Sequence, residues 1–207
     1  MSTMDNNEKL YKQIMYYKEE LRKKIKEREL EMKQDNNDHY LIYNVLGFKN
    51  EEGYQIDYQQ NVGRFLYKYA GALMEDLVFQ CMKEKFPEAK AKVKVPNTVD
   101  KSPKKFEIDC LVNDKAYEIK WKDATTDGDH VKKEKKRMES IKNAGYKPIR
   151  MMFFEPERTQ AMQIQEKLKK QYDEIGGEYY SGEDAWNYLK KETGIDLKTF
   201  FEKAKEW

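Results

Sequence analysis

Three residues of this chain have the types and spacing for hydrolysis of a phosphodiester: Asp109, Glu118 and Lys120. They lie in two segments, Phe106 to Val112 and Lys115 to Trp121, that alternate in polarity and are joined by Asn113-Asp114. Alternation of this kind marks β-strands, and an Asn-Asp pair tolerates the positive φ angles of a tight hairpin. A two-residue turn pairs Val112 with Lys115, hence Leu111 with Ala116, Cys110 with Tyr117, and Asp109 with Glu118. Residues directly opposite have Cβ atoms about 4.5–5.5 Å apart, so two carboxylates placed there repel unless a cation sits between them. Phe106, Ile108, Cys110 and Val112 share one face, the expected core side; Glu107, Asp109 and Leu111 share the other.

Two carboxylates, a backbone carbonyl that Ile119 is placed to supply, and waters make the oxygen-only environment that Mg²⁺ prefers. Such an ion polarises a phosphodiester and lowers the pKa of a bound water. The Lys120 ammonium is then placed to orient that water or to stabilise charge on phosphorus. The same residues also suit an exposed face on which Lys120 simply pairs with Glu118 or Glu107, and spacing alone leaves both readings open.

The elements that must hold this hairpin are legible on either side. Residues 8–33 carry Leu10, Ile14, Tyr17, Leu21, Ile25 and Met32 at helical spacing, and Asp35-Asn36-Asn37-Asp38 breaks that helix and caps a short one ending near Gly47. Residues 61–85 form the most apolar helix, with Val62, Phe65, Leu66, Tyr69, Leu73, Leu77 and Met82. Ala91, Val93 and Val95 suggest a strand. Beyond the hairpin come a helix over about 130–144, a strand from Pro148 to Phe154, a helix from Glu157 to Tyr172, a short strand at 178–180, a helix from Ser181 and a last one from about Asp196. The order predicts an α/β (α+β) fold, a mixed sheet of four or five strands flanked by helices. The expected division is an N-terminal helical region, 1–60, packing on the core or in a dimer interface, and a core with C-terminal helices, 61–207.

The pattern Asp109, then Glu118-Ile119-Lys120 on the next strand of a hairpin, resembles the catalytic motif of PD-(D/E)XK nucleases, with Ile108 where the motif's proline would stand. The longer run from Glu118 to His130 (EIKWKDATTDGDH) is similar to the ApaLI-like family of type II restriction endonucleases. So are the stretches Gly176 to Trp186 and Thr193 to Leu197, and the resemblance covers at least residues 105–200. It implies a restriction-endonuclease-like core, Mg²⁺-dependent cutting of a short sequence in double-stranded DNA, and a homodimer with one catalytic centre for each strand. It further implies Asp109, Glu118 and the Ile119 carbonyl as metal ligands, with Glu75 of the core helix as a further one. The loop after the second catalytic strand would meet DNA through Lys122, Thr125, Thr126, Asp127 and His130, and the helix after it through Lys133 and Arg137.

Composition fits this class without dictating it. The 207 residues hold 40 Lys+Arg against 38 Asp+Glu, a net charge of only +2, so charge distribution rather than total must attract a polyanion. Only six basic residues are arginines (22, 28, 64, 137, 150 and 158), which is the short list for bidentate base readout. Aromatic residues make up 13% of the chain, too many for a disordered polyelectrolyte. No run of about 18 apolar residues appears, which predicts no membrane span and a soluble, cytoplasmic protein. Cys81 and Cys110 sit among apolar neighbours and read as buried thiols. Two rivals share these observations: a structure-specific repair or recombination nuclease on the same scaffold, and a non-catalytic helical interaction protein whose hairpin charges are surface.

Overall fold

Asn113 adopts φ +52°, the conformation that an L-residue other than Asn, Asp or Gly resists, and this single position folds the hairpin back on itself. The computed structural model describes residues 3–206 other than 101, 124 and 126. Its elements in chain order are α1 (Thr3–Gln34), α2 (Tyr40–Val45), α3 (Asn50–Lys85), β1 (Lys90–Pro96), β2 (Lys105–Val112), β3 (Lys115–Lys122), α4 (Gly128–Asn143), β4 (Lys147–Phe154), α5 (Thr159–Glu174), β5 (Glu178–Ser181), α6 (Glu183–Thr193) and α7 (Leu197–Ala204).

The five strands form one mixed sheet in the order β1-β2-β3-β4-β5. β1, β2 and β3 run antiparallel, whereas β3, β4 and β5 run parallel. The parallel pairs need crossovers, and α4 and α5 supply them. β3 is therefore the strand where the sheet changes from one pairing to the other. β4 is buried along nearly its whole length, as a strand covered on both faces must be. Phe153 packs edge-on against Trp186 of α6, while Arg150 points to the opposite side, toward α4 and α5.

The chain divides into two units: the residues up to Leu10 together with Met74 onward, and Tyr11–Leu73. The first holds the sheet, and its core gathers Leu77, Val78, Cys81 and Met82 of α3 among the fully buried residues. The second is helical. There α3 begins at Asn50, eleven residues before the point where apolar spacing predicts it. That opening stretch is held by polar contacts rather than an apolar stripe: Tyr43 donates to Asp57 at 2.8 Å, and Tyr58 donates to Glu29 at 2.9 Å.

Two further expectations need correcting. Leu111, placed by strict alternation on the charged face, is buried in one cluster with Phe106, Ile108, Ala116 and Ile141. The pleat is interrupted at Asp109, whose place opposite on β1 falls to Lys92, a strand residue with φ +55°. Helix α6 starts at Glu183 rather than at Ser181, because Ser181 is the last residue of β5.

Because Asn113 holds its turn with a positive φ, Asn113→Gly leaves stability within about 0.5 kcal/mol of the wild type. Asn113→Val lowers it by about 1–2 kcal/mol. Denaturant midpoints of the two variants measure the difference.

Candidate active site

Strand register brings the expected residues together, and the sheet then opens between them. The β2–β3 ladder pairs Val112 with Lys115, Leu111 with Ala116 and Cys110 with Tyr117, and ends there. At the next step the Asp109 carboxylate takes over, accepting the backbone N–H of Ile119 at 2.8 Å through Oδ2. β1 stays with β2 beyond this point and β4 stays with β3, so the strands fork at Asp109 and Glu118.

Lys120 bridges the two acids. Its Nζ lies 2.5 Å from Glu118 Oε1 and 3.8 Å from Asp109 Oδ2, and it donates to the Ile119 carbonyl at 3.2 Å. The carbonyl expected among metal ligands thus lies beside the amine that also meets both carboxylates. Glu118 is no surface residue: its side chain is only 3% exposed, which removes the reading of an open, alternating charged face. Its Oε2 has no hydrogen-bond partner among the described residues.

Electrostatics separate the two acids. Burial opposes the charge on Glu118, yet Lys120, Arg137 and Arg150 outweigh it and hold the carboxyl down at about 2. Burial also acts on Asp109, and there the Glu118 charge adds to it; Lys120 only partly compensates, so the carboxyl is pushed up to about 7. Glu75 of α3 belongs to the same field. Its carboxyl is raised by burial and by Glu118 and lowered by Lys120 and Lys92, and it repels Asp109 in turn.

Behind Glu118 lies a network that the sequence did not announce. Arg137 of α4 pairs with Glu118 through Nη1, and its Nε stands 3.8 Å from Glu134 Oε2. Glu134 Oε1 accepts from Tyr172 at 2.8 Å and from Arg150 Nη1 at 3.2 Å. Arg150 Nη2 continues to Asp123 Oδ2 at 2.5 Å, and the same oxygen meets His130 Nε2 at 3.1 Å. Gln165 donates to the Asp123 carbonyl at 3.3 Å and accepts from Tyr179 at 2.8 Å. Arg150 has no exposed surface, so it leaves the short list of arginines that can read bases. Its one sequence signal was a charged residue in a strand otherwise apolar from Pro148 to Phe154.

The remaining residues expected at DNA fall in three groups. Lys122 and Lys133 are exposed. Thr125 and Asp127 shape the loop: Thr125 Oγ1 accepts from the Asp127 N–H at 3.2 Å, and the Asp127 carboxylate caps α4 by accepting from Asp129 N at 2.9 Å. His130 and Arg137 face inward on Asp123 and Glu118. Thr126 lies outside the described residues.

A carboxyl whose folded pKa is raised costs stability once the unfolded chain has ionised and the folded one has not. For Asp109 that cost is absent below about pH 4, grows as pH rises, and is complete above about pH 7. Asp109→Asn keeps an acceptor for the Ile119 N–H and removes the repelling charge. At pH 8 in the absence of divalent ions it is expected to be more stable than the wild type by about 1–3 kcal/mol, the gain vanishing near pH 4. Thermal melts across that range measure it.

Among the described residues, no helix is long and apolar enough to cross a membrane. Comparison with curated proteins gives no match. The model of the ApaLI-like restriction endonuclease matches residues 1–206, essentially the whole chain. A charged fork in a mixed sheet and a family match of this extent lead to one assignment: the chain belongs to the ApaLI-like restriction endonuclease family, nuclease hydrolases that act on DNA.

Proposed function

We propose that the protein is a type II restriction endonuclease that cuts a short sequence in double-stranded DNA with Mg²⁺, using Asp109, Glu118 and Lys120. The observation that carries this reading is the fork, where one amine meets a buried carboxylate, a half-buried one and a carbonyl. No group of three or more His, Cys, Asp or Glu side chains is gathered as a metal site among the described residues, so the donor set rests on two acids and backbone. That set fits Mg²⁺ on two counts. All its donors are oxygens, and Glu118 Oε2 is buried without a partner while Asp109 is strained by repulsion that a cation relieves.

Asp109, Glu118 and the Ile119 carbonyl would hold the ion, with Glu75 available from the side of α3. When bound, the ion polarises the scissile phosphate and lowers the pKa of the attacking water. Lys120, 28% exposed, orients that water and offsets charge growing on phosphorus. Asp109 keeps its oxygens pointed into the fork by accepting the Ile119 N–H. Lys122, Thr125, Thr126, Asp127, His130, Lys133 and Arg137 remain the candidates for DNA contact, the exposed lysines to phosphate and the loop 123–127 over the cut.

Incubating the protein with plasmid of known sequence, with and without Mg²⁺, and sequencing the fragment ends tests this. Discrete bands with one common end sequence are expected, and only with the metal. Asp109→Ala, Glu118→Ala and Lys120→Ala should each lose about a hundredfold to ten-thousandfold or more in rate while remaining folded. Full activity in purified Asp109→Ala would refute the assignment, and a smear or junction cutting would move the target to a DNA structure.

A two-fold symmetric target calls for a homodimer. The helical region 1–60 carries the surface for it. Leu41, Ile42, Val45, Leu46 and Phe48 on and after α2 are all exposed, a concentration of apolar side chains unusual on a monomer. Leu41→Glu combined with Val45→Glu is expected to convert dimer to monomer in light scattering with little change in melting temperature, and a dimer that persists would place the interface elsewhere.

A further inference from the structure

The two arginines that neutralise the buried acids are not equivalent. Arg150 has no exposed surface and is held at both terminal nitrogens, by Asp123 and by Glu134. Arg137 is 20% exposed, and its close contact is to Glu118, with Glu134 Oε2 farther off at 3.8 Å from its Nε. Its guanidinium carbon stands 6.0 Å from the centroid of the Phe106 ring. Glu134 does not rely on Arg137, because Tyr172 and Arg150 already occupy its Oε1. If Arg137 moves, Glu118 is the carboxylate that loses a close contact; Lys120 stays with it, and Glu134 keeps Tyr172 and Arg150.

We propose that Arg137 is a mobile counter-charge, which rests on Glu118 in the metal-free protein and, once a divalent cation claims that carboxylate, turns to a phosphate of the bound DNA. The proposal rests on the reading of Asp109 and Glu118 as the metal pair. Glu118 and a phosphate present the same thing to an arginine, a planar or pyramidal set of anionic oxygens that its fork fits. An arginine fixed on a metal ligand competes with the metal by charge, and one released beside it supplies a cation where the DNA backbone arrives. Five residues separate the end of β3 from the start of α4, and Arg137 of that helix reaches Glu118 at the fork. Arg137 thus positions Glu118 in one state and contacts substrate in the other.

The test uses three full-length variants. Mn²⁺ is titrated without DNA by calorimetry into wild type, Arg137→Met, Arg137→Lys and Asp109→Ala. Affinity for a synthetic duplex spanning the plasmid cut is then measured in Ca²⁺ over a range of salt. Arg137→Met, which keeps the stem over Phe106, is expected to bind Mn²⁺ roughly tenfold or more tightly, with Arg137→Lys near wild type. It should bind the duplex more weakly, with a salt slope smaller by about one. Unchanged or weaker Mn²⁺ binding in Arg137→Met overturns the proposal, as does an unchanged affinity and salt slope on DNA. Equal Mn²⁺ binding by wild type and Asp109→Ala instead removes the metal pair itself and this proposal with it. Should Arg137→Met not fold, Arg137→Gln carries the same comparison.

Discussion

The negative charge of Glu118, taken out of water in the middle of a sheet, is the constraint to which the rest of the structure answers. An unpaired carboxylate there would neutralise itself by raising its pKa. Lys120 and Arg137 prevent this. Arg137 in turn lies beside Glu134, which requires Arg150, which requires Asp123 and through it His130. The alternation of signs runs across β3, α4 and β4, so the crossover helix is tied to the sheet by charge as well as by Met138 and Ile141. Buried ion pairs of this kind seldom repay their desolvation in stability. Their presence is better accounted for by the need to hold an ionised acid at a fixed place.

The fork supplies the second half of that placement. A regular hairpin would continue its ladder past Cys110 and Tyr117, and Ile119 N–H would meet a backbone carbonyl. Here Asp109 intercepts it. One side chain thus satisfies a backbone donor, opens the two strands and fixes its own carboxylate at the opening. The interruption of β1 opposite, at Lys92, falls at the same level. Because β3 also marks the change from antiparallel to parallel pairing, the opened strand is rigidly held on its other edge by β4. A cleft with one stiff wall results, and the two carboxylates are held at a fixed place within it.

What could be read in advance follows from how local each constraint is. The hairpin register was legible because a two-residue turn leaves one pairing, and the observed partners Cys110–Tyr117, Leu111–Ala116 and Val112–Lys115 are those the turn dictates. The mixed sheet followed from the order of elements. Leu111 was misassigned because alternation assumes an unbroken pleat, and the break at Asp109 is made by a side chain to backbone hydrogen bond that no periodicity encodes. The start of α3 was missed because Tyr43, Asp57, Tyr58 and Glu29 hold it through hydrogen bonds between helices, which leave no stripe. Arg150 and Glu134 stand alone in sequence, each an ordinary charge. Only the crossover brings them within 3.2 Å.

The chain of charges also has a direction. Going inward from Glu118, each acid has an arginine and the series closes on buried Arg150, paired through Nη1 with Glu134 and through Nη2 with Asp123. Going outward, Asp109 and Glu75 have Lys120 between them and Lys92 beyond, which do not offset burial and mutual repulsion, and both are driven toward protonation. Negative charge is therefore in excess only at the mouth of the fork. An excess held by rigid strands against its own repulsion is a form of stored electrostatic work, which lowers the stability of the protein. The closed end makes that storage possible: Arg137 and Arg150 act with Lys120 against the burial that would otherwise drive a proton onto Glu118, and so keep its charge at the mouth.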